Sequence, residues 1–342
     1  MSNRFDYQGG EHDTWLASHQ EEVLEPDLPI IDAHHHLWIR GDSPYLLREF
    51  AADLGSGHRV VATVFAECHA MYRTTGAPEL RPVGEMAFVA GIGAMSDAGA
   101  FGTAGVCRGV VGAADLALGD AVGPVLDALT NAADGRLRGI RASVCFDADA
   151  SLHRTVPGAE YLAQAAVRRG IAELERRGLV LDCWLYHPQL PELAAVADAF
   201  PNLRIVLDHC GTPILGGRFR GQTEAVHAAW SRDLRDLAQR PNVFVKLGAL
   251  PARFERDPDA PRRPPDSAAV ANAWRPWIGT CIEAFGADRC LFESNFPVHK
   301  NWLSYPVLWN AFKRITAHAS PSEKSALFSA TASTVYGIDA TA

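Results

Sequence analysis

The sequence predicts one α/β domain folded as a (β/α)8 barrel. Short runs rich in Val, Ile and Leu alternate with longer segments of helical character, which implies βα units and a parallel sheet. Eight such apolar runs are present. The chain of 342 residues lies in the range that α/β barrels occupy as a single unit. The main rival is an open doubly wound sheet, but no G-x-G-x-x-G opens a helix after the first strand.

In chain order the strands are expected near 30–36 (IIDAHHH), 59–67 (RVVATVFAE), 106–112 (VCRGVVG) and 136–142 (RLRGIRA), then near 179–186 (LVLDCWLY), 203–209 (LRIVLDH), 242–249 (NVFVKLGA) and 289–295 (RCLFESN). Helices are expected at 123–132, 161–177, 191–199 and 226–239. The stretch 85–105 is ambiguous: its glycines weaken a helix, and a strand at 86–91 stays open. Residues 1–28 form a polar arm without a basic-then-apolar leader, suited to oligomer contact, and the barrel occupies 29–336. The Pro/Arg-rich piece 251–266 follows the seventh strand, where a barrel places either a mobile loop over its active face or a plain surface excursion.

Composition narrows the class. With 48% apolar residues the chain can bury a large core, and it has no apolar run of membrane-spanning length. There are 32 Lys plus Arg against 40 Asp plus Glu, a net charge of −8, and no basic stripe, which argues against nucleic acid as a partner. The seven cysteines are scattered, never C-x-x-C, and mostly within apolar strands, as in a reduced cytoplasmic protein.

Barrel enzymes assemble their chemistry at the C-terminal ends of the strands, and those ends are conspicuously polar here. Strand one ends in His34 and His36, two residues apart and therefore on one face. Strand two ends in Glu67, with His69 beyond it; strand four carries Arg141. Strand five ends in His187, strand six in Asp208-His209, strand seven carries Lys246, and strand eight ends in Glu293-Ser294-Asn295. Imidazoles aimed at one point are the beginning of a transition-metal site. Asp32 and Asp208 flank the histidines as partners that orient an imidazole, whereas Asp182, deeper in strand five, has no evident role. Trp38, Tyr45, Trp184 and Tyr186 lie near the mouth, and His153, His227, His299 and His318 read as surface residues.

The segments DAHHHLW, LDHCGTP and FESNFPV, in this order on an apparent barrel, resemble the amidohydrolase-2 branch of the amidohydrolase superfamily over residues 28–335. The resemblance implies a metal held by His34, His36, His187 and His209, and a substrate carboxylate held by Arg141. A planar bidentate fork suits the latter task. The pattern breaks at strand eight. Where hydrolases of the superfamily usually carry the Asp that takes the proton from water, this chain has Asn295. An amide cannot act as that base, a role worth roughly 10²–10⁴-fold in rate, although its carbonyl can bind a metal. Strand four also lacks the bridging carboxylate or carboxylated Lys of some members.

Adding Glu67 and Asn295 to the four histidines supplies donors for two divalent ions, with Fe or Fe/Mn favoured and Zn also suited. That altered set is similar to the dinuclear oxygenases of the superfamily. The leading expectation is therefore an O₂-activating enzyme hydroxylating a carboxylate-bearing small molecule, with Glu293 and Lys246 as catalytic groups. The alternative is a metal-dependent hydrolase of a lactone or amide, with Glu293, Glu67 or His35 replacing the missing base. A third reading is a non-catalytic metal-binding subunit of a paralogous complex. All three readings expect a homo- or hetero-oligomer and no membrane or nucleic-acid partner.

Overall fold

The computed structural model describes residues 9–41, 43–250 and 263–339. Its centre is one sheet of eight parallel strands: β1 (Ile30–His35), β2 (Val60–Ala66), β3 (Gly105–Gly112), β4 (Leu137–Ser143), β5 (Val180–Trp184), β6 (Ile205–Leu207), β7 (Val243–Leu247) and β8 (Cys290–Phe292). Each strand pairs with the next in chain order. Just beyond β8 the sheet closes on itself. There Asn295 N–H donates to His34 O (2.8 Å) and His36 N–H to Phe296 O (2.7 Å). The helices between strands include Gly123–Ala132, Ala165–Arg177, Leu190–Ala199, Thr223–Leu237 and Ser267–Phe285, and Tyr305–Ile315 follows β8. The expected (β/α)8 barrel is the observed one.

The ambiguous stretch is the helix Val83–Asp97, and no strand forms at 86–91. Its buried Val83, Met86, Val89, Ala90 and Ile92 follow a helical spacing. Of the two glycines inside the helix beyond its first turn, Gly93 serves packing: a Cβ there would come within 2.6 Å of the Arg136 guanidinium carbon, whereas Gly91 faces open space. A short antiparallel hairpin, Trp38–Arg40 with Ser43–Tyr45, follows β1 and was not expected from the sequence.

The arm is tied down in its later part. Leu24 N–H donates to Asn310 Oδ1 at 2.9 Å, and Lys313 Nζ donates to Leu24 O and Glu25 O at 2.7 and 2.8 Å. All seven cysteines are buried and free. No helix among the described residues is long and apolar enough to cross a membrane. The loop expectation at 251–266 falls largely on 251–262, outside the described residues.

Side chains two apart on a strand share a face, and this alternation stacks the site above a plug. Val180, Val206 and Leu291 pack with Ile31, Val64 and Val111 against Ala332, Val335, Tyr336 and Ile338 of the C-terminal segment. Two residues further along the same strands stand Asp182, Asp208 and Glu293. The apolar layer thus supports a charged one.

Candidate metal centre

Three imidazoles converge above that charged layer. His34 Nε2 lies 3.3 Å from His36 Nε2, and His36 Nε2 lies 3.2 Å from Asn295 Oδ1. The His34 and His209 ring centroids are 4.8 Å apart. Ligand atoms of His34, Asp208 and His209 all lie within 4.8 Å of one another, and all three residues are buried.

The residues beneath determine which ring nitrogens face the centre. His36 Nδ1 donates to Ala66 O at 2.8 Å, which leaves the lone pair on Nε2. His209 Nδ1 contacts Glu293 Oε1 at 2.7 Å while its Nε2 lies 3.2 Å from Arg141 Nη2. A carboxylate can only accept and a guanidinium only donate, so His209 also carries its lone pair on Nε2. Burial, with Lys246 beside His34 and Arg141 near His36, pulls both histidines well below the ordinary imidazole range, in the neutral form that binds metals.

These donors fit a divalent cation. The lone pair of His36 Nε2 and the carbonyl of Asn295 are two acceptors at hydrogen-bond distance, an arrangement that a cation relieves. Glu293 Oε2 and Glu67 Oε2 are buried without a hydrogen-bond partner, so negative potential remains around the histidines.

The layer below is an ion network. Lys246, fully buried, donates to Asp182 Oδ2 (2.5 Å), lies 3.0 Å from His34 Nδ1 and ion-pairs with Asp208 Oδ1 (3.0 Å). Tyr336 OH donates to Asp182 Oδ2 at 2.9 Å. Burial works to lower the Lys246 pKa, but Asp182 and Asp208 hold it above its ordinary value, so it stays an ammonium. Burial likewise works to raise Asp208, yet Lys246 and Arg141 hold it well below the usual carboxylate range. Burial raises Asp182 to about 6 against the pull of Lys246.

Several expected site residues stand elsewhere or act differently. His187 is not joined to the cluster: its Nδ1 accepts Ile214 N–H at 3.3 Å and its ring packs on Phe219. That bond engages the Nδ1 lone pair and places the proton on Nε2. Glu67 lies on a neighbouring wall. It accepts from Ser143 Oγ (3.2 Å), faces His69 Nδ1 (3.5 Å) and lies 3.7 Å from Arg141 Nη1. Glu293 and Lys246, expected as catalytic groups, are fully buried behind the imidazoles and hold them from below. His35 faces outward, stacked on Phe50 with Nε2 2.9 Å from Thr63 Oγ1, so it is no base for the site.

Arg141 does not present a free fork. Nε donates to Asp208 Oδ2 at 2.8 Å, Nη1 faces Glu67, and Nη2 faces His209. Asp32 orients backbone rather than an imidazole, accepting from Ser294 N–H (2.9 Å), His34 N–H (3.3 Å) and Tyr305 OH (3.0 Å). Trp38 stacks on His36, and Trp184 lies against Arg141 and His209. His299, read as a surface residue, is buried between Trp274 and Trp302, and burial beside His209 lowers its pKa to about 3.

The sequence assigns no role to two carboxylates that the structure employs. Asp182 pairs with Lys246, a role foreshadowed only by a charge inside an apolar strand. Glu85, buried in the helix Val83–Asp97, accepts Cys68 N–H (3.0 Å) and Ala70 N–H (2.8 Å) and so shapes the turn bearing His69. Burial, with Glu67 nearby, raises its pKa to about 8.

The backbone at the strand ends is unusual. His69, His209, Cys210, Thr212, Ala249 and Asn295 all have positive φ, which is uncommon for residues other than glycine and concentrates at functional sites. A cavity of about 350 Å³ opens over β2 to β4, lined by Glu67, His69, Asp115, Arg141, Ser143 and Tyr161 among others. It meets the imidazole cluster at Arg141.

A sequence model of the amidohydrolase family matches residues 31–338. The chain belongs to the amidohydrolase family. A relative in Sinorhizobium fredii, named only as an uncharacterized protein, is 33% identical over 91% of this chain and 99% of its own length. The L-fucono-1,5-lactonase of Burkholderia multivorans is 29% identical over 59% of this chain and 64% of its own. Among solved structures, a zinc-bound amidohydrolase from B. multivorans superposes with a TM-score of 0.68 at 24% identity, covering 91% of this chain and 99% of that one. The named relative is a hydrolase, and nothing among these relatives supports the oxygen-activating expectation.

Proposed function

We propose that this amidohydrolase is a metal-dependent hydrolase that opens a neutral lactone to a hydroxy acid. The observation that carries the reading is Glu67. Its Oε2 is buried without a hydrogen-bond partner, on the wall of a cavity that abuts the imidazole cluster. The similarity to L-fucono-1,5-lactonase supports the substrate class, and the zinc-bound neighbour supports a divalent ion.

His34, His36 and His209, with Asn295 Oδ1 and Asp208, would hold the cation. When bound, it supplies Lewis-acid polarisation of the lactone carbonyl and lowers the pKa of a water. Glu67 takes the proton from the attacking water, its Oε1 fixed by Ser143 Oγ–H, and returns it to the ring oxygen as the acyl C–O bond breaks. This assigns to strand two the base that Asn295 cannot be. Arg141, locked by Asp208, keeps a fixed positive charge where negative charge develops on the carbonyl oxygen.

The cavity favours a neutral substrate. Every side-chain nitrogen of Arg141 already faces a partner, and Glu67 and Asp115 add negative charge to the walls. A substrate carboxylate would therefore meet repulsion without a free fork to receive it. The hydroxy-acid product is an anion, and the same walls favour its release. At about 350 Å³ the cavity suits a single-ring molecule.

The test is lactonase activity on neutral sugar lactones and on lactones bearing a carboxylate, with and without O₂. Turnover of the neutral lactones under anaerobiosis, lowered roughly 10²–10⁴-fold by Glu67→Gln at unchanged metal content, is expected. Activity that requires O₂, or a preference for the acidic lactones, would overturn the reading.

A further inference from the structure

Part of the cavity wall is held in place from a strand other than the one that bears it. Val144, Thr155 and Val156, which line the cavity, belong to the loop that follows β4. That loop closes on itself where Thr155 N–H donates to Cys145 O at 3.0 Å. The segment that follows β6 reaches across to it. Arg218 donates from Nε to Asp147 Oδ1 (2.9 Å) and from Nη2 to Asp147 Oδ2 (2.8 Å), and its backbone N–H donates to Asp149 Oδ2 (2.6 Å). The approach is close: Gly217 has φ +55°, and a Cβ there would come within 2.6 Å of Asp149 Oδ2. We propose that Arg218 is a positioning residue that determines substrate size, clasping the β4 loop where Val144 and Val156 wall the cavity against lactones larger than a single ring. This rests on the lactone-opening reading above.

The chemistry of the clasp suits that task. A planar guanidinium making two bonds to one carboxylate fixes orientation as well as distance, which a lysine ammonium does not. The Asp147 side chain is 3% exposed against 55% for Arg218, so a buried carboxylate meets its partner at the surface. The hydrogen bonds from Arg218 hold Asp147 below the usual carboxylate range, and the pair stays ionised at neutral pH. Other bonds secure the two ends of the loop. Gln189 Nε2 donates to Val144 O (2.7 Å), Gln189 Oε1 accepts Phe146 N–H (2.9 Å), and Tyr186 OH donates to His153 O (2.8 Å). Arg218 holds the tip between them. A substrate that enters a cavity with its wall already in place does not pay to order it. Arg218 therefore acts through the loop, on binding, and not on the reacting atoms.

The experiment combines hydrogen exchange and kinetics on full-length, metal-loaded protein. The probes are glucono-δ-lactone, a single ring, and cellobiono-δ-lactone, which adds a second sugar. Arg218→Ala is expected to speed amide exchange within 145–155 while the barrel strands keep wild-type protection. Its KM for the single ring should rise about tenfold with kcat changed less than about twofold, since substrate then selects the ordered wall. The wild-type preference for the single ring should shrink by about tenfold. Arg218→Lys, which keeps the charge and loses the fork, should fall between, and it decides should Arg218→Ala not fold. Val156→Ala, which enlarges the cavity and leaves the clasp intact, should shrink the preference with exchange unchanged. Wild-type exchange at 145–155 in a folded Arg218→Ala variant, or an unchanged preference, would overturn the proposal. So would an equal fall in kcat for both lactones at constant KM. A wild type that opens neither lactone would instead overturn the lactone reading, and exchange at 145–155 would still decide the clasp.

Discussion

Glu293 Oε1 accepts a 2.7 Å hydrogen bond from His209 Nδ1, and this contact determines which nitrogen of His209 faces the centre. The other oxygen of the same carboxylate lies 3.3 Å from His34 Nδ1. One buried side chain thus serves two imidazoles from behind.

Glu293→Gln is therefore expected to weaken metal affinity roughly 10–100-fold, the usual consequence of losing such a partner. At saturating metal, kcat should change little. Metal titration combined with kinetics at several metal concentrations checks this, since a general base would show the opposite pattern.

Gly248 gives the same carboxylate its room. A Cβ there would come within 2.6 Å of Glu293 Cγ and of the Glu293 carbonyl oxygen. Gly248→Ala should displace Glu293 from His209, with a loss of about 1–3 kcal/mol in stability. Urea unfolding, with metal titration of the same variant, measures both effects.

His58 provides a pH handle away from the centre. Burial, with Lys313 beside it, lowers its pKa from 6.5 to about 4. Between those values the unfolded chain takes up a proton that the folded protein refuses. Stability therefore falls as pH drops from 6.5 towards 4, by up to about 3 kcal/mol from this residue. His58→Gln can still accept from Lys313 Nζ and donate to Pro306 O, the bonds His58 makes. It should show less acid destabilisation in denaturant titrations at pH 7 and pH 4.5.

Metal removal should lower stability, because an ion held by the folded state alone shifts the unfolding equilibrium. At a free concentration 100 times Kd the stabilisation is about 2.7 kcal/mol. Thermal melts with chelator and with graded Zn²⁺ should show a midpoint that rises with metal, and a flat response would count against the centre.

The barrel and its strand ends were legible because they rest on local patterns. Apolar runs of strand length separated by helical segments specify βα units, and parity places His34 with His36 and Glu293 with Asn295. The stretch 85–105 was not legible, because one of its helix-weakening glycines, Gly93, packs closely against Arg136, a residue distant in the chain.

By itself, the sequence determined which residue types stand at the mouth of the barrel, since strand period and order follow from neighbouring side chains. Only the tertiary structure decided what each one does. Whether His187 reaches the cluster, whether Arg141 has a free fork and whether Lys246 faces the cavity or the interior all depend on contacts between different strands. Such contacts arise when the cylinder closes, and side chains from separate strands then compete for the same protons and the same space.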